Sequence, residues 1–224
     1  MQVQALIFDM DGTMIDSMPW HAQSWIAFTQ RHGMAIDVDE LMRRTTGRTG
    51  IECMCDLFGR DLDEAEAHAL IQEKEDLYRA LYAPVFAEVA GFTTFSQQAR
   101  ERGLKVGVGT AGDRHNIAFA FSNLKLPTPP HAVVGGDEGL PGKPDPAIFL
   151  EAARRMNTPA HACIVFEDAP LGIEAARRAG MRAVAVCTSH TAEQLAGPHV
   201  LTSVGNDLDL IQSNFLENLH VATS

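Results

Sequence analysis

Four short segments of this 224-residue chain hold the side chains from which a reaction centre could be built. They are Asp9-Met10-Asp11-Gly12-Thr13, Thr110-Ala111-Gly112, Gly142-Lys143-Pro144-Asp145-Pro146 and Glu167-Asp168. Together they offer the carboxylates of Asp9, Asp11, Glu167 and Asp168, the Thr110 hydroxyl and the Lys143 ammonium. Two carboxylates about 4 Å apart repel by about 4 kcal/mol at an effective dielectric of about 20. Four gathered without compensation would raise their pKa values or push their loops apart. A divalent cation resolves the conflict. An all-oxygen ligand set in a compact site that keeps waters favours Mg2+ over zinc or copper. Carboxylates, Mg2+ and one lysine suit a phosphoryl group, whose oxygens the cations neutralise while a carboxylate attacks phosphorus. Asp9 and Asp11 are two residues apart, and Gly12 permits a sharp turn after them. Such a pair suits a division of labour between nucleophile and proton donor.

These segments can meet only if the chain brings them to one edge. Residues 3–8, 105–109, 132–134, 162–166 and 183–186 are short, apolar and rich in β-branched or small side chains, and read as buried parallel strands. Each polar segment follows one of the first four runs. In an open parallel sheet, ligands bind beyond the carboxyl ends of the strands. Amphipathic stretches such as 146–156 and 171–179, the latter ending at Gly180, read as the crossover helices. The expected fold is therefore α/β, a Rossmann-like parallel sheet with helices on both faces. Residues 17–89 break the alternation, with helices expected at 17–31, 38–44, 51–58 and 63–82. Asp63 and Glu66 suggest a capping box, and Pro84 stops the last helix. We divide the chain into a core of residues 1–16 and 88–224 and an inserted helical domain of residues 17–87, joined by two crossings that could hinge. Trp20 is expected to pack within the insertion.

Composition narrows the class. With 46% hydrophobic and 21% charged residues the chain reads as globular, and it is long enough to bury a core without staples. Eighteen Lys and Arg against 29 Asp and Glu give a net charge of −11, which argues against nucleic-acid or anionic-membrane binding but not against a small anionic substrate. No apolar run approaches the ~20 residues of a membrane span. The opening Met1-Gln2-Val3-Gln4 lacks a basic residue, so no secretory leader is expected. Cys53-x-Cys55 has no partner pair at zinc spacing, and Cys163 and Cys187 lie in strand-like runs, so free thiols and a cytoplasmic location are expected. No protein partner is implied.

The ordered set Asp9-Met10-Asp11-Gly12-Thr13-Met14-Ile15-Asp16-Ser17, Val108-Gly109-Thr110, Gly142-Lys143-Pro144-Asp145-Pro146 and Phe166-Glu167-Asp168-Ala169-Pro170-Leu171-Gly172-Ile173 resembles the four motifs of the haloacid dehalogenase superfamily. The inserted helices resemble its small α-helical cap domain. The resemblance implies that Asp9 forms an aspartyl-phosphate. It implies that Asp11 protonates the leaving oxygen and then activates water. Thr110 and Lys143 would hold the phosphoryl oxygens, and Asp9, the Asp11 backbone carbonyl, Glu167 and Asp168 would surround Mg2+. Dehalogenases of the superfamily lack the second aspartate, so Asp11 favours phosphoryl transfer.

Specificity is expected from the cap. His21 and Trp25, four residues apart, share a helix face. Arg48 sits in the Gly47-Arg48-Thr49-Gly50 turn and Lys74 on the longest helix, between Glu73 and Glu75. With Ala111, Gly112 and Arg114 from the core, these are the candidate substrate contacts. The pattern looks like the β-phosphoglucomutase and sugar-phosphatase branch. Mutases of that branch carry a Ser-x-Ser-Lys/Arg-Asn stretch after the second motif, where this chain has Thr110-Ala111-Gly112-Asp113-Arg114. Asp113 would repel a second phosphate. Pyrophosphatase-type relatives carry a glutamate where this chain has Thr46. The expected function is a Mg2+-dependent phosphatase for a small sugar or polyol phosphate. The alternatives are a β-phosphoglucomutase-like mutase, an inorganic pyrophosphatase, or a non-catalytic metabolite-binding protein.

Overall fold

The computed structural model describes residues 3–221, so residues 1, 2 and 222–224 of the expected core lie outside it. Among the described residues one sheet holds β1 (Ala5–Phe8), β2 (Lys105–Gly109), β3 (Ala132–Val134), β4 (Cys163–Glu167), β5 (Arg182–Val186) and β6 (Val200–Val204). All neighbours are parallel, in the order β3-β2-β1-β4-β5-β6. The first five strands lie where their apolar runs predicted, with ends shifted by at most two residues. The sixth was not expected. β6 lies at the sheet edge with no residue fully buried, and its register to β5 is broken between Ala183 and Val184. An edge strand of that kind presents no continuous apolar run.

Side chains alternate between the two sheet faces, as the strand pleat requires. One face carries Leu6, Phe8, Val106, Val108, Ile164, Phe166, Val184 and Val186, covered by α5 (Phe92–Glu101), α6 (Arg114–Leu124), α9 (Asp207–Gln212) and α10 (Phe215–Val221). The Phe8 ring stacks on Phe166 at 4.4 Å and meets Phe92 edge-on at 5.2 Å. The other face is built from smaller residues, Ala5, Ile7, Cys163, Val165, Ala183 and Ala185. It packs under α7 (Ala147–Arg155) and α8 (Pro170–Arg178).

Between β1 and α5 the chain makes α1 (Met18–Arg31), α2 (Val38–Thr45), α3 (Gly50–Phe58) and α4 (Glu64–Tyr82). These helices close on a core of their own formed by Trp25, Phe28, Leu41, Cys53 and Met54. One expectation needs correction here. Asp63 caps α4 by accepting the Glu66 N–H at 2.8 Å, but the reciprocal half of the box is missing, because the Glu66 carboxylate binds the Arg60 guanidinium instead. A complete capping box stands at Thr49 and Glu52, ahead of α3. Trp20 packs within the insertion as expected, though away from the cluster around Trp25. It stacks on Tyr82 at 6.2 Å and packs against the cluster that runs on beneath the sheet. Among the described residues no helix is long and apolar enough to cross a membrane.

The strand order places the site. From β1 the chain builds outward to β2 and β3, then returns to the other side of β1 to form β4. The crevice where the order reverses lies between the carboxyl ends of β1 and β4. The Asp9 N–H donates to the Phe166 carbonyl at 3.0 Å, which holds those two ends in register. Truncating Phe8 removes the ring that both sides of this junction share. Phe8→Ala is expected to lower the unfolding free energy by about 3–5 kcal/mol, read as a lower urea midpoint at unchanged slope.

Candidate active site

Asp9 leaves the end of β1 with its carboxylate buried, and the Lys143 ammonium, from the loop after β3, donates to its Oδ1. The same ammonium donates to Glu167 Oε1 at 2.6 Å, from the last residue of β4. Glu167 Oε2 accepts the Ala169 N–H at 2.7 Å. Both oxygens of Glu167 are therefore engaged in this structure, one by Lys143 and the other by the Ala169 N–H. That departs from the expected donor set, in which Glu167 stood among the metal ligands. Gly172 lets the glutamate lie there, since a Cβ at that position would fall 1.7 Å from Oε1. Gly12, at φ +78°, does the same for Asp168, whose Oδ2 would lie 2.2 Å from an added Cβ.

The ionisation of the group follows from burial and charge. Burial pushes the Asp9 carboxyl up to about 7, Lys143 pulls it back, and Glu167 and Asp11 add to the rise. Burial, with the charges of Glu167 and Asp9, also holds Asp168 well above the usual carboxylate range. Burial opposes the Lys143 charge, yet Asp9 and Glu167 outweigh it and its pKa is raised.

Asp11 has a different environment. Its Oδ1 accepts from Ser17 Oγ at 2.7 Å, His21 Nε2 at 3.2 Å and Tyr78 OH at 3.3 Å. Burial raises its pKa, but His21, the Ser17 hydroxyl and the Lys74 charge outweigh burial and lower it. The His21 ring lies flat on Tyr78 at 3.8 Å. Lys74 donates to His21 Nδ1 at 2.8 Å, which leaves the ring proton on Nε2, facing Asp11. Lys74 also donates to Glu75 at 2.8 Å and lies 5.0 Å from the Trp25 ring centroid. It is 3% exposed, so it is not part of a solvated face despite its acidic neighbours. Glu75 in turn accepts from Asn116 on α6 at 2.7 Å, and Arg79 donates to Asn116 at 2.6 Å. Ser17, Tyr78, Glu75 and Asn116 were not singled out from sequence. Tyr78 could have been, since it stands four residues after Lys74 on the same helix face.

The remaining candidates line an open cavity of about 910 Å³ between the inserted helices and the strand ends. Thr110, at the end of β2, is buried, and its Oγ1 accepts the Gly112 N–H at 3.0 Å. Ala111 and Gly112 are half-buried, and Gly112 lies beside Asp11. Trp25 lies beneath Lys74 in the insertion's core. Arg48 and Arg114 also line the cavity but are exposed, with Arg114 4.0 Å from Asp137. The structure thus gathers His21, Lys74 and Gly112 near Asp11, keeps Ala111 on the cavity wall and leaves the two arginines exposed there.

A hard cation fits the reduced donor set. Among the described residues no three His, Cys, Asp or Glu side chains meet as a ready cage, consistent with Glu167 being turned to Lys143. Asp168 Oδ2, however, is buried with no hydrogen-bond partner. A buried, unpartnered carboxylate oxygen beside a second buried carboxylate demands positive charge. The donors on hand are all oxygen, which suits Mg2+. The cysteines offer no rival site. All four are free, and burial pushes the Cys53 thiol up to about 12.

Comparison with known proteins places this arrangement. Residues 3–180 match the family described as haloacid dehalogenase-like hydrolase. The validoxylamine A 7'-phosphate phosphatase of Streptomyces hygroscopicus subsp. limoneus is 34% identical over 200 residues, covering 87% of this chain and 91% of the relative. The fructose-1-phosphate phosphatase YqaB of Escherichia coli is 33% identical over 186 residues, covering 81% and 95%. The crystal structure of β-phosphoglucomutase from Clostridium difficile superposes with a TM-score of 0.83 at 22% identity, covering 99% of both chains, a likeness of fold.

Removing the shared cation would leave Asp9 and Glu167 buried without compensation. Lys143→Met is expected to cost about 3–5 kcal/mol of stability at neutral pH, measured by urea unfolding.

Proposed function

The chain belongs to the haloacid dehalogenase-like hydrolases, and on that premise we propose that it hydrolyses a small sugar or polyol phosphate, with Mg2+, through an aspartyl-phosphate on Asp9. The observation that carries this reading is the contrast between two carboxylates two residues apart. Asp9 is buried against a lysine in the crevice of the sheet, whereas Asp11 is held low by groups of the inserted helices. Pairs of acids pushed apart in this way take different parts in a reaction.

In the first half-reaction an Asp9 oxygen attacks phosphorus and the bond to the sugar oxygen breaks. Asp11 gives that oxygen its proton, and the alcohol leaves. A phosphate dianion beside Asp11 favours its protonated form on binding, since a like charge opposes ionisation. In the second half-reaction Asp11, now ionised, takes a proton from water as the water attacks phosphorus. Inorganic phosphate departs and Asp9 is restored. Lys143 and Thr110 hold the phosphoryl oxygens, and Glu167 fixes Lys143 for that task. His21, held by Lys74, keeps an N–H directed at Asp11. Asp9, Asp168 and the Asp11 backbone carbonyl would hold Mg2+. When bound, the ion neutralises charge on the phosphoryl group.

Residues 17–87 act as the cap, covering the cavity and limiting bulk water. The substrate class rests on the two phosphatase relatives and on a cavity with room for a sugar. Four free cysteines suit a reducing, cytoplasmic setting.

Phosphate release from a panel of sugar and polyol monophosphates with Mg2+ tests this. Asp9→Asn is expected to abolish turnover and covalent labelling by a reactive phosphoryl donor. Release by Asp9→Asn at the wild-type rate would overturn the mechanism. Asp11→Asn is expected to lower kcat by about 10²–10⁴-fold, the usual contribution of a positioned acid or base.

A further inference from the structure

Past Thr110 the chain turns through Ala111, Gly112 and Asp113 into α6. The free N–H groups that open a helix attract phosphate. Here they are already occupied. Asp113 Oδ1 accepts the N–H groups of His115 at 3.0 Å and Asn116 at 2.9 Å. Its other oxygen lies 3.5 Å from Gln72 Nε2 on α4, so the carboxylate stands where cap meets core, on the cavity wall.

The cations around the cavity give little relief. Lys143 is bound to Asp9 and Glu167, and Lys74 to His21 and Glu75. Arg114 has a side chain 79% exposed and lies beside Asp137. Among the described lining residues, Arg48 alone is an uncommitted cation, and it is exposed on its turn.

We propose that Asp113 bars a second phosphoryl group from the part of the cavity it lines, so that the enzyme accepts monophosphates and rejects bisphosphates. The inference rests on the phosphatase reading above and narrows it. A phosphosugar mutase moves the phosphoryl group from Asp9 onto a hydroxyl of a sugar that already bears one. The sugar oxygen–phosphorus bond forms as the Asp9–phosphorus bond breaks, and Asp11 takes the hydroxyl proton. The product of that step is a bisphosphate held in the cavity. A wall that repels the second phosphate disfavours this acceptor and leaves water as the acceptor.

The test compares kcat/KM, by phosphate release with Mg2+, for fructose 1-phosphate and fructose 1,6-bisphosphate. The wild type, Asp113→Asn and Asp113→Ser are measured, both replacements being good helix caps without the charge. The wild type is expected to prefer the monophosphate by at least about tenfold, and each variant to narrow that ratio by at least about fivefold, the range of one like-charge contact at partial screening. The ratio is internal, so partial loss of folded protein cancels. A wild type that uses both esters equally well, or a ratio unmoved in both variants, would overturn the proposal. So would conversion of β-glucose 1-phosphate to glucose 6-phosphate faster than phosphate is released. If no monophosphate is hydrolysed, the phosphatase reading falls too. If monophosphates are hydrolysed but the ratio does not move, only the role of Asp113 falls.

Discussion

One buried ammonium ties the catalytic end of this protein together. Lys143 comes from the loop after β3, Asp9 from β1 and Glu167 from β4, and the lysine joins the two acids in a space with almost no water. Paired buried charges are not in themselves a source of stability, because desolvation offsets their attraction. Their effect is to fix geometry. With Lys143 in place, the order reversal of the sheet becomes a crevice in which the Asp9 carboxylate has a fixed orientation. The surrounding details serve this contact. Gly172 leaves room for Glu167, Gly12 leaves room for Asp168, and Phe8 with Phe166 sets the floor on which both strands end.

Asp11 belongs to a second electrostatic system that does not arise from the sheet. Apart from Ser17, its partners come from the inserted helices, with His21 on α1 and Tyr78 on α4, backed by Lys74 and Glu75. The proposed nucleophile is thus set by contacts within the core, and the proposed acid–base group by contacts with the insertion. Two carboxylates separated by one methionine in sequence take their partners from different structural units. Asp113, at the mouth of α6, stands where those units meet, and the reading of it as a barrier depends on both sides being near.

Much of the fold was legible because buried parallel strands have little freedom in composition. The runs ending at Phe8, Gly109 and Val134 are apolar but for Lys105 at the start of β2, since both sheet faces are covered. β6 escaped notice for the opposite reason, being half-exposed at an edge. The four polar segments meet at one edge because each follows a strand, and strand ends can be read. Side-chain pairing could not be read in the same way. Glu167 adjoins Asp168 in sequence, yet one faces Lys143 and the other keeps an unpartnered oxygen. Lys74 stands between two acidic residues in sequence, yet the docking of α4 on α1 buries it. Glu66 matched a capping box by spacing, and Arg60 drew it away. Spacing limits which groups can meet, and competition among charged neighbours decides which do.

The stack of Trp20 on Tyr82 bears on the mechanics of the insertion. Tyr82 continues to Phe86 at 5.0 Å and Phe119 at 6.0 Å, so the root of the four-helix unit is welded into the aromatic layer beneath the sheet. The outer contacts across the cleft are polar, as between Gln72 and Asp113 or Arg79 and Asn116, and each such bond contributes only about 0.5–1.5 kcal/mol net. A lever so built is stiff at the fulcrum and yields first along its length. A motion between the two parts would then break the Gln72–Asp113 and Arg79–Asn116 contacts before it disturbed the ring stack at the root.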